Sequence, residues 1–185
     1  MSGKQKLAVS IFNTHIEAED AVRELQKYGF NMKKLSIAGK DFHSGDSIAG
    51  NYNTGDRVRY CGKLGAFWEK VLGIVYGSAF FIIPDIGPVV IGGPLVRKII
   101  SVLEGAALVD GLSAIGTVFY SIGIPNESIL EYETSLKSNK FLLLADGAAE
   151  EVEHALKILK ATKATDTTIH HGYRGAVFRN VNKNK

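Results

Sequence analysis

Two adjacent histidines, His170 and His171, follow Asp166 near the carboxyl end of the sequence. Imidazole and carboxylate groups are common ligands of zinc, so this trio is the first place to consider a metal site. The surrounding residues favour a β-strand, and neighbouring side chains on a strand point to opposite faces. The histidines would then not converge on one ion, and we predict no metal site here.

Two pairs of carboxylates, with the members of each pair two residues apart, are candidates for acid–base catalysis. Glu17 and Glu19 form one pair, and Glu151 and Glu153 form another. Side chains two residues apart on a helix point away from each other, so neither pair is suited to joint catalysis. Acidic groups instead stabilise the first turn of a helix. We predict no catalytic residue and no cofactor, and that the protein is not an enzyme.

The segment over residues 39–55, GKDFHSGDSIAGNYNTG, is rich in glycine and polar residues. It matches neither the pattern G-x-x-x-x-G-K-[ST] nor a strand-linked G-x-G-x-x-G, the two common phosphate-binding loops. We interpret it as a flexible connector, with binding of a small anionic ligand as the alternative.

A single cysteine, Cys61, excludes an internal disulfide, and no signal-peptide pattern opens the sequence. Both observations favour the cytoplasm.

The elements that position these residues repeat along the chain. Residues 6–25 and 140–159 share one pattern, in which a short apolar run precedes a polar turn and an amphipathic helix. The segments 34–38 and 165–170 predict a further strand after each helix. Two βαβ halves predict a split ferredoxin-like sandwich of the α+β class. We assign it residues 1–61 and 126–185.

The insertion between the halves, residues 62–125, carries only eight charged side chains and more than half of the 20 glycines. We predict an apolar helical hairpin, two long helices separated by the proline and glycine breakers at 84–88 and 92–94. A glycine-zipper stripe of small residues would let the helices pack closely. The predicted packing residues are Gly62, Ala66, Gly73 and Gly77 on the first helix, and Ala106, Asp110, Ser113 and Thr117 on the second.

Composition limits the partners. The chain has 185 residues, of which 45% are hydrophobic and 22% charged, a normal balance for one globular domain with a sizeable core. The formal net charge of +3 is too small to indicate nucleic-acid binding.

The insertion could associate with a membrane or with copies of itself. Its longest uncharged runs, 71–84 and 111–125, are shorter than the roughly 18–20 residues of a spanning helix. Three arrangements stay open: a hairpin that dips into one leaflet, a tilted pair of spans inside an oligomer, and a soluble hairpin packed against other copies. Each supplies the partner surface that an apolar patch requires.

The residues beside the insertion favour the membrane. Basic side chains suit anionic headgroups on the cytoplasmic face, and aromatic side chains can be buried among lipids. The residues predicted to mediate membrane binding or self-association are Arg57, Arg59, Lys63, Phe80 and Phe81. A soluble cytoplasmic homo-oligomer is the alternative.

Two blocks carry a family resemblance, NTGDRVRYCGKLGAFW before the insertion and GIPNESILEYETSLK after it. Their order and surroundings resemble the bacterial general stress proteins, the 17M-like or heat-induced type, and among them a membrane-protein subgroup of unknown function. The likeness covers most of the chain and implies a stress-associated, non-catalytic protein without an established site.

We therefore predict a non-enzymatic stress-associated protein that associates with membrane, or assembles with itself, through its apolar hairpin. A protein of this kind would lie at the cytoplasmic side of the membrane. The alternative is a soluble regulatory or small-ligand-binding ferredoxin-like domain that forms a homo-oligomer.

Overall fold

Strands from both ends and the middle of the chain join in one antiparallel sheet. The computed structural model describes residues 5–40, 52–54, 65–105 and 108–171. In these ranges seven strands pair side by side, in the order β3-β4-β5-β2-β6-β1-β7. In chain order they are β1 (Gln5–Phe12), β2 (Leu35–Gly39), β3 (Tyr52–Thr54), β4 (Ser78–Ile83), β5 (Gly87–Gly92), β6 (Phe141–Ala148) and β7 (Asp166–His171).

Helices cover both faces of this sheet. In chain order they are α1 (His15–Lys27), α2 (Gly65–Leu72), α3 (Leu95–Glu104), α4 (Ala114–Ser121), α5 (Asn126–Lys137) and α6 (Ala149–Lys160), and a single 3-10 turn, Met32–Lys34, precedes β2. We call the face covered by α3, α4 and α5 the front and the face covered by α1, α2 and α6 the back.

The two predicted strand–helix–strand halves are present, and the fold is α+β. Helix α1 joins β1 to β2, and α6 joins β6 to β7. Helix α1 begins at the hydroxyl of Thr14, which accepts a hydrogen bond from the amide of Glu17 at 3.2 Å. In the sheet, β6 lies between β2 and β1, and β7 lies on the far side of β1. The halves therefore interleave instead of standing apart.

Strand β6 shows why both faces need a helical layer. Phe141, Leu143 and Ala145 pack against the back, whereas Leu142 and Leu144 pack against the front. Each of these side chains is buried. A strand covered on both faces reads as a continuous apolar run instead of an alternating one.

The prediction of two long apolar helices in residues 62–125 is wrong. Strands β4 and β5 occupy the middle of this segment and pair as an antiparallel hairpin, from Ser78 opposite Gly92 to Ile83 opposite Gly87. Their sequences, SAFFII and GPVVIG, are rich in aromatic and β-branched residues, which fit a pleated, buried surface. Asp85 in the turn between them and Gly87 at the start of β5 have positive φ.

The insertion covers its own apolar surface. Helices α3 and α4 of the insertion place Ile99 and Phe119, among others, against the front of the sheet, where Leu136 of α5 packs beside them. On the back, α2 lays Phe67 and Trp68 against Phe141, with ring centroids 5.3 and 5.9 Å from that of Phe141. The apolar side chains that were expected to need an external partner are therefore largely buried inside the chain.

Gly73 and Gly77 do not form a stripe on one helix. Helix α2 ends at Leu72, so Gly73 follows it, and Gly77 has a φ of +91° just before β4. The carbonyl of Gly77 accepts a hydrogen bond from the amide of Gly93 at 2.9 Å. At Gly93 an added Cβ would lie 2.1 Å from the carbonyl oxygen of Leu35. Glycine at position 93 permits a close backbone approach within one chain.

Substitutions of the neighbouring residues Phe81 and Ile82 test whether β4 has one face in the core. Phe81 is fully buried in the front core, whereas Ile82 is 37% exposed. We expect Phe81→Ala to lower the free energy of unfolding by about 3–5 kcal/mol through a lost contact and a cavity. Ile82→Ala, the control, should cost about 1 kcal/mol or less because half-exposed side chains lose little burial. Urea unfolding followed by circular dichroism measures both, and equal small losses would contradict the burial of Phe81.

Candidate functional site

Polar side chains replace apolar ones at one end of the front face. Asp146 of β6 and His170 of β7 lie on either side of Leu7 of β1, each directly paired with it. Lys98 of α3 and Ser36 of β2 border the same small cavity of about 30 Å³. A space of this size holds a water molecule or two, with polar groups around it to bind them.

His170 and Tyr132 form the buried part of this polar cluster. His170 is 6% exposed, and its Nε2 lies 2.7 Å from the hydroxyl of Tyr132 on α5. Burial raises the pKa of Tyr132 and lowers the pKa of His170, while the carboxylate of Asp166 opposes the shift at His170. A neutral phenol and a neutral imidazole therefore share the hydrogen bond at physiological pH.

Asp146 marks the open side of the cavity. Desolvation by the surrounding protein raises the pKa of its carboxyl group, and the cations Lys98 and Lys34 oppose that shift. Ser36 serves the fold at the same place, because its hydroxyl accepts a hydrogen bond from the amide of Leu95 at the start of α3. The cluster thus joins the helix layer to the sheet through polar contacts.

A second buried polar group caps α4. The hydroxyl of Ser113 accepts a hydrogen bond from the amide of Gly116, while a carboxylate oxygen of Glu133 on α5 accepts from both the amide and the hydroxyl of Ser113. Thr117 accepts a hydrogen bond from the amide of Val109 at 3.0 Å. The bond from Gly116 satisfies a backbone donor that a helix start leaves unpaired, and the bond from Val109 ties the preceding turn to α4.

The packing residues predicted for the second helix therefore lie in different parts of the structure. Ser113 and Thr117 hold the start of α4, whereas Asp110 is exposed in the turn before it. Sequence reasoning missed Glu133 and the Tyr132–His170 pair. Their partners are 20 and 38 residues away along the chain, and no local pattern marks contacts at such separations.

An open groove of about 660 Å³ lies between α1 and α6. Its α1 wall carries three carboxylates, and the opposite wall carries two lysines and His154. We call the first the acidic wall, which carries Glu17, Asp20 and Glu24 together with Arg23, and the second the basic wall, which carries His154, Lys157 and Lys163. Among the described residues, no ion pair crosses the groove. The exposed ring of Tyr28 lies at one end.

The residues predicted for membrane binding or self-association are placed as follows. Phe81 is fully buried on the front, and Phe80 is partly buried on the back. Arg57, Arg59 and Lys63 lie outside the described residues. Of the predicted packing residues, Ala66 lies within α2, whereas Gly62 and Ala106 lie outside the described residues, as does Cys61. The structure thus corrects the prediction for Phe81, because a core side chain has no surface to offer a lipid or a second copy.

Neither a membrane-spanning helix nor a cluster of metal ligands occurs among the described residues. None of the described helices has the length and apolar content needed to cross a bilayer. Within the described ranges, no three histidine, cysteine or acidic side chains form a group that could hold a metal ion. His170 is buried and His171 is exposed, which confirms that the adjacent histidines lie on opposite faces of their strand.

Comparison with known families identifies part of the chain. Residues 8–79, which run from β1 through α1 and β2 to the first residues of β4, match the model of the heat induced stress protein YflT domain. The resemblance to a general stress protein family is therefore confirmed. The YflT match does not extend to the membrane-protein subgroup. No curated protein and no solved structure matches the chain.

The buried histidine makes stability depend on pH. Because the pKa of His170 is lowered by folding, the unfolded chain binds a proton there more readily. We expect the free energy of unfolding to fall as pH drops below about 6.5, and to level off once folded His170 is also protonated.

His170→Gln should remove this pH-dependent component while keeping a hydrogen-bonding group near Tyr132. His171→Gln, the exposed neighbour, is the matched control and should retain it. Urea unfolding at a series of pH values on both sides of neutrality measures the effect. Identical pH profiles for His170→Gln and the wild type would show that burial of His170 has no such consequence.

Proposed function

We propose that this chain is a non-enzymatic, stress-associated protein that acts by self-association. The match of residues 8–79 to the heat induced stress protein domain supports the stress-associated role. The non-enzymatic part rests on the roles of the buried polar side chains. Ser113 and Glu133 hold the start of α4, and Tyr132 and His170 tie α5 to the sheet.

The fold itself supports the finer assignment made from the sequence. Strands β2, β6, β1 and β7 lie in the order expected of two interleaved βαβ halves. We infer that they form a split ferredoxin-like sandwich, to which the insertion adds strands at one edge and helices on the second face. In this proposal the insertion is a structural addition, and the functional surface lies elsewhere.

A small-ligand role has weaker support. Ligand pockets usually enclose about 300–1,000 Å³ and are lined mainly by apolar side chains. The cavity beside Asp146 and His170 has a volume of about 30 Å³. The groove between α1 and α6 is large enough, but charged side chains line most of it. A charged, open surface is better suited to another protein chain than to a small molecule.

The observation that favours self-association is the division of charge in that groove. Acidic groups line one wall and lysines line the other, without an ion pair between the walls among the described residues. Complementary charges of this kind select and orient a partner. A membrane role at the cytoplasmic face is the second candidate. In that role Arg57, Arg59 and Lys63 would bind the headgroups, and Phe81 would not take part.

The full chain, purified without detergent, tests the proposal. We expect light scattering coupled to size exclusion to give a mass of two or more chains, and more assembly as protein concentration rises. Sedimentation with neutral and with anionic vesicles should show little binding. A variant with Arg57, Arg59 and Lys63 all changed to Gln should assemble like the wild type.

Two results would contradict the proposal. A single-chain mass at every concentration would exclude self-association. Strong binding to anionic vesicles that salt weakens, and that the triple glutamine variant loses, would support the membrane candidate instead.

A further inference from the structure

We propose that the groove between α1 and α6 is the docking site for a second copy of this chain, with a two-fold axis that runs along the groove. This inference rests on the proposed self-association and names its surface. The groove is open, has a volume of about 660 Å³, and lies on the back of the sheet, away from the polar cavity at the front.

The charges of the two walls indicate which partner binds in the groove. Glu17, Asp20 and Glu24 recur at intervals of three and four residues, so they lie along one side of α1. Lys157 and Lys163 belong to the opposite wall. In the described residues none of these five side chains forms a salt bridge. Each wall is thus available to a partner with the opposite charge, and the other wall of a second copy has it.

The symmetry follows from the positions of the walls. Rotation by 180° about an axis along the groove places α1 of one copy over α6 of the other, and the reverse. Both contacts then join an acidic wall to a basic one. Rotation about an axis across the groove would place α1 over α1, where carboxylates repel. Closed two-fold dimers are the commonest homo-oligomers, and their interfaces must be complementary to themselves in this way.

Other groups at the groove are compatible with this arrangement. Arg23, the one cation on the α1 wall, lies 3.6 Å from Glu19 of its own helix, so its charge is already balanced. Nε2 of His154 lies 3.2 Å from the carbonyl oxygen of Tyr28, which ties the two walls together at one end. The ring of Tyr28 is 54% exposed. Aromatic side chains of this kind are enriched at protein interfaces.

Charge reversal of one wall at a time tests the surface. The first variant, Asp20→Lys with Glu24→Lys, makes both walls basic. The second, Lys157→Glu with Lys163→Glu, makes both walls acidic. We expect each to raise the dissociation constant of the dimer by roughly tenfold or more, because like charges then face each other. Analytical ultracentrifugation measures the constant, and circular dichroism checks that each variant folds.

Mixing the two variants tests whether groove pairs with groove. An all-basic groove and an all-acidic groove complement each other at both contacts, so the mixture should form a heterodimer at concentrations where each variant alone is monomeric. Arg97→Glu with Lys137→Glu is the control, because these exposed residues lie on α3 and α5 at the front of the sheet. The control should dimerise like the wild type.

The outcomes separate this inference from the proposed function. A wild-type dimer that both groove variants leave unchanged would overturn the groove as the interface, while self-association would stand. A wild-type chain that is monomeric throughout would overturn both. Monomeric variants that do not form a heterodimer on mixing would overturn the pairing of one groove with the other.

Discussion

Strand β6 carries apolar side chains on both of its faces, and neither face can be left in water. Phe141, Leu143 and Ala145 require cover on the back of the sheet, and Leu142 and Leu144 require cover on the front. Helices α1 and α6 supply part of the first layer from within the two βαβ halves. The second layer comes from α3, α4 and α5, so most of it lies in the insertion. The apolar character of residues 62–125 follows from this constraint.

This constraint changes what the insertion means for function. An apolar segment that covers its own sheet does not need a lipid or a second copy to bury it, so the strongest reason for membrane association is removed. The remaining candidates are surfaces with unusual charge, above all the groove between α1 and α6. The polar cluster around His170 and Tyr132 has a structural role, because it attaches α5 to the end strand of the sheet.

Local sequence patterns predicted the two βαβ halves but not the centre of the chain. The helix positions Ala18, Ala21, Val22 and Leu25 all face the core, because a 3.6-residue period identifies a buried helix face directly. In residues 78–92 each strand has only six residues, and short apolar runs do not distinguish a strand from a buried helix. Contacts such as Ser113–Glu133 arise only when the helices pack, so the candidate sites could not be predicted from spacing alone.

Native-state hydrogen exchange of β5 is the most direct test of the central claim that the insertion belongs to the core. Strand β5 lies between β4 and β2, so its amides connect the insertion to the βαβ halves. The structure predicts that they exchange without lipid only through global unfolding, with the same protection free energy as the amides of β1 and β6. Much weaker protection in β5 than in β6, or protection that appears only with vesicles, would contradict this account.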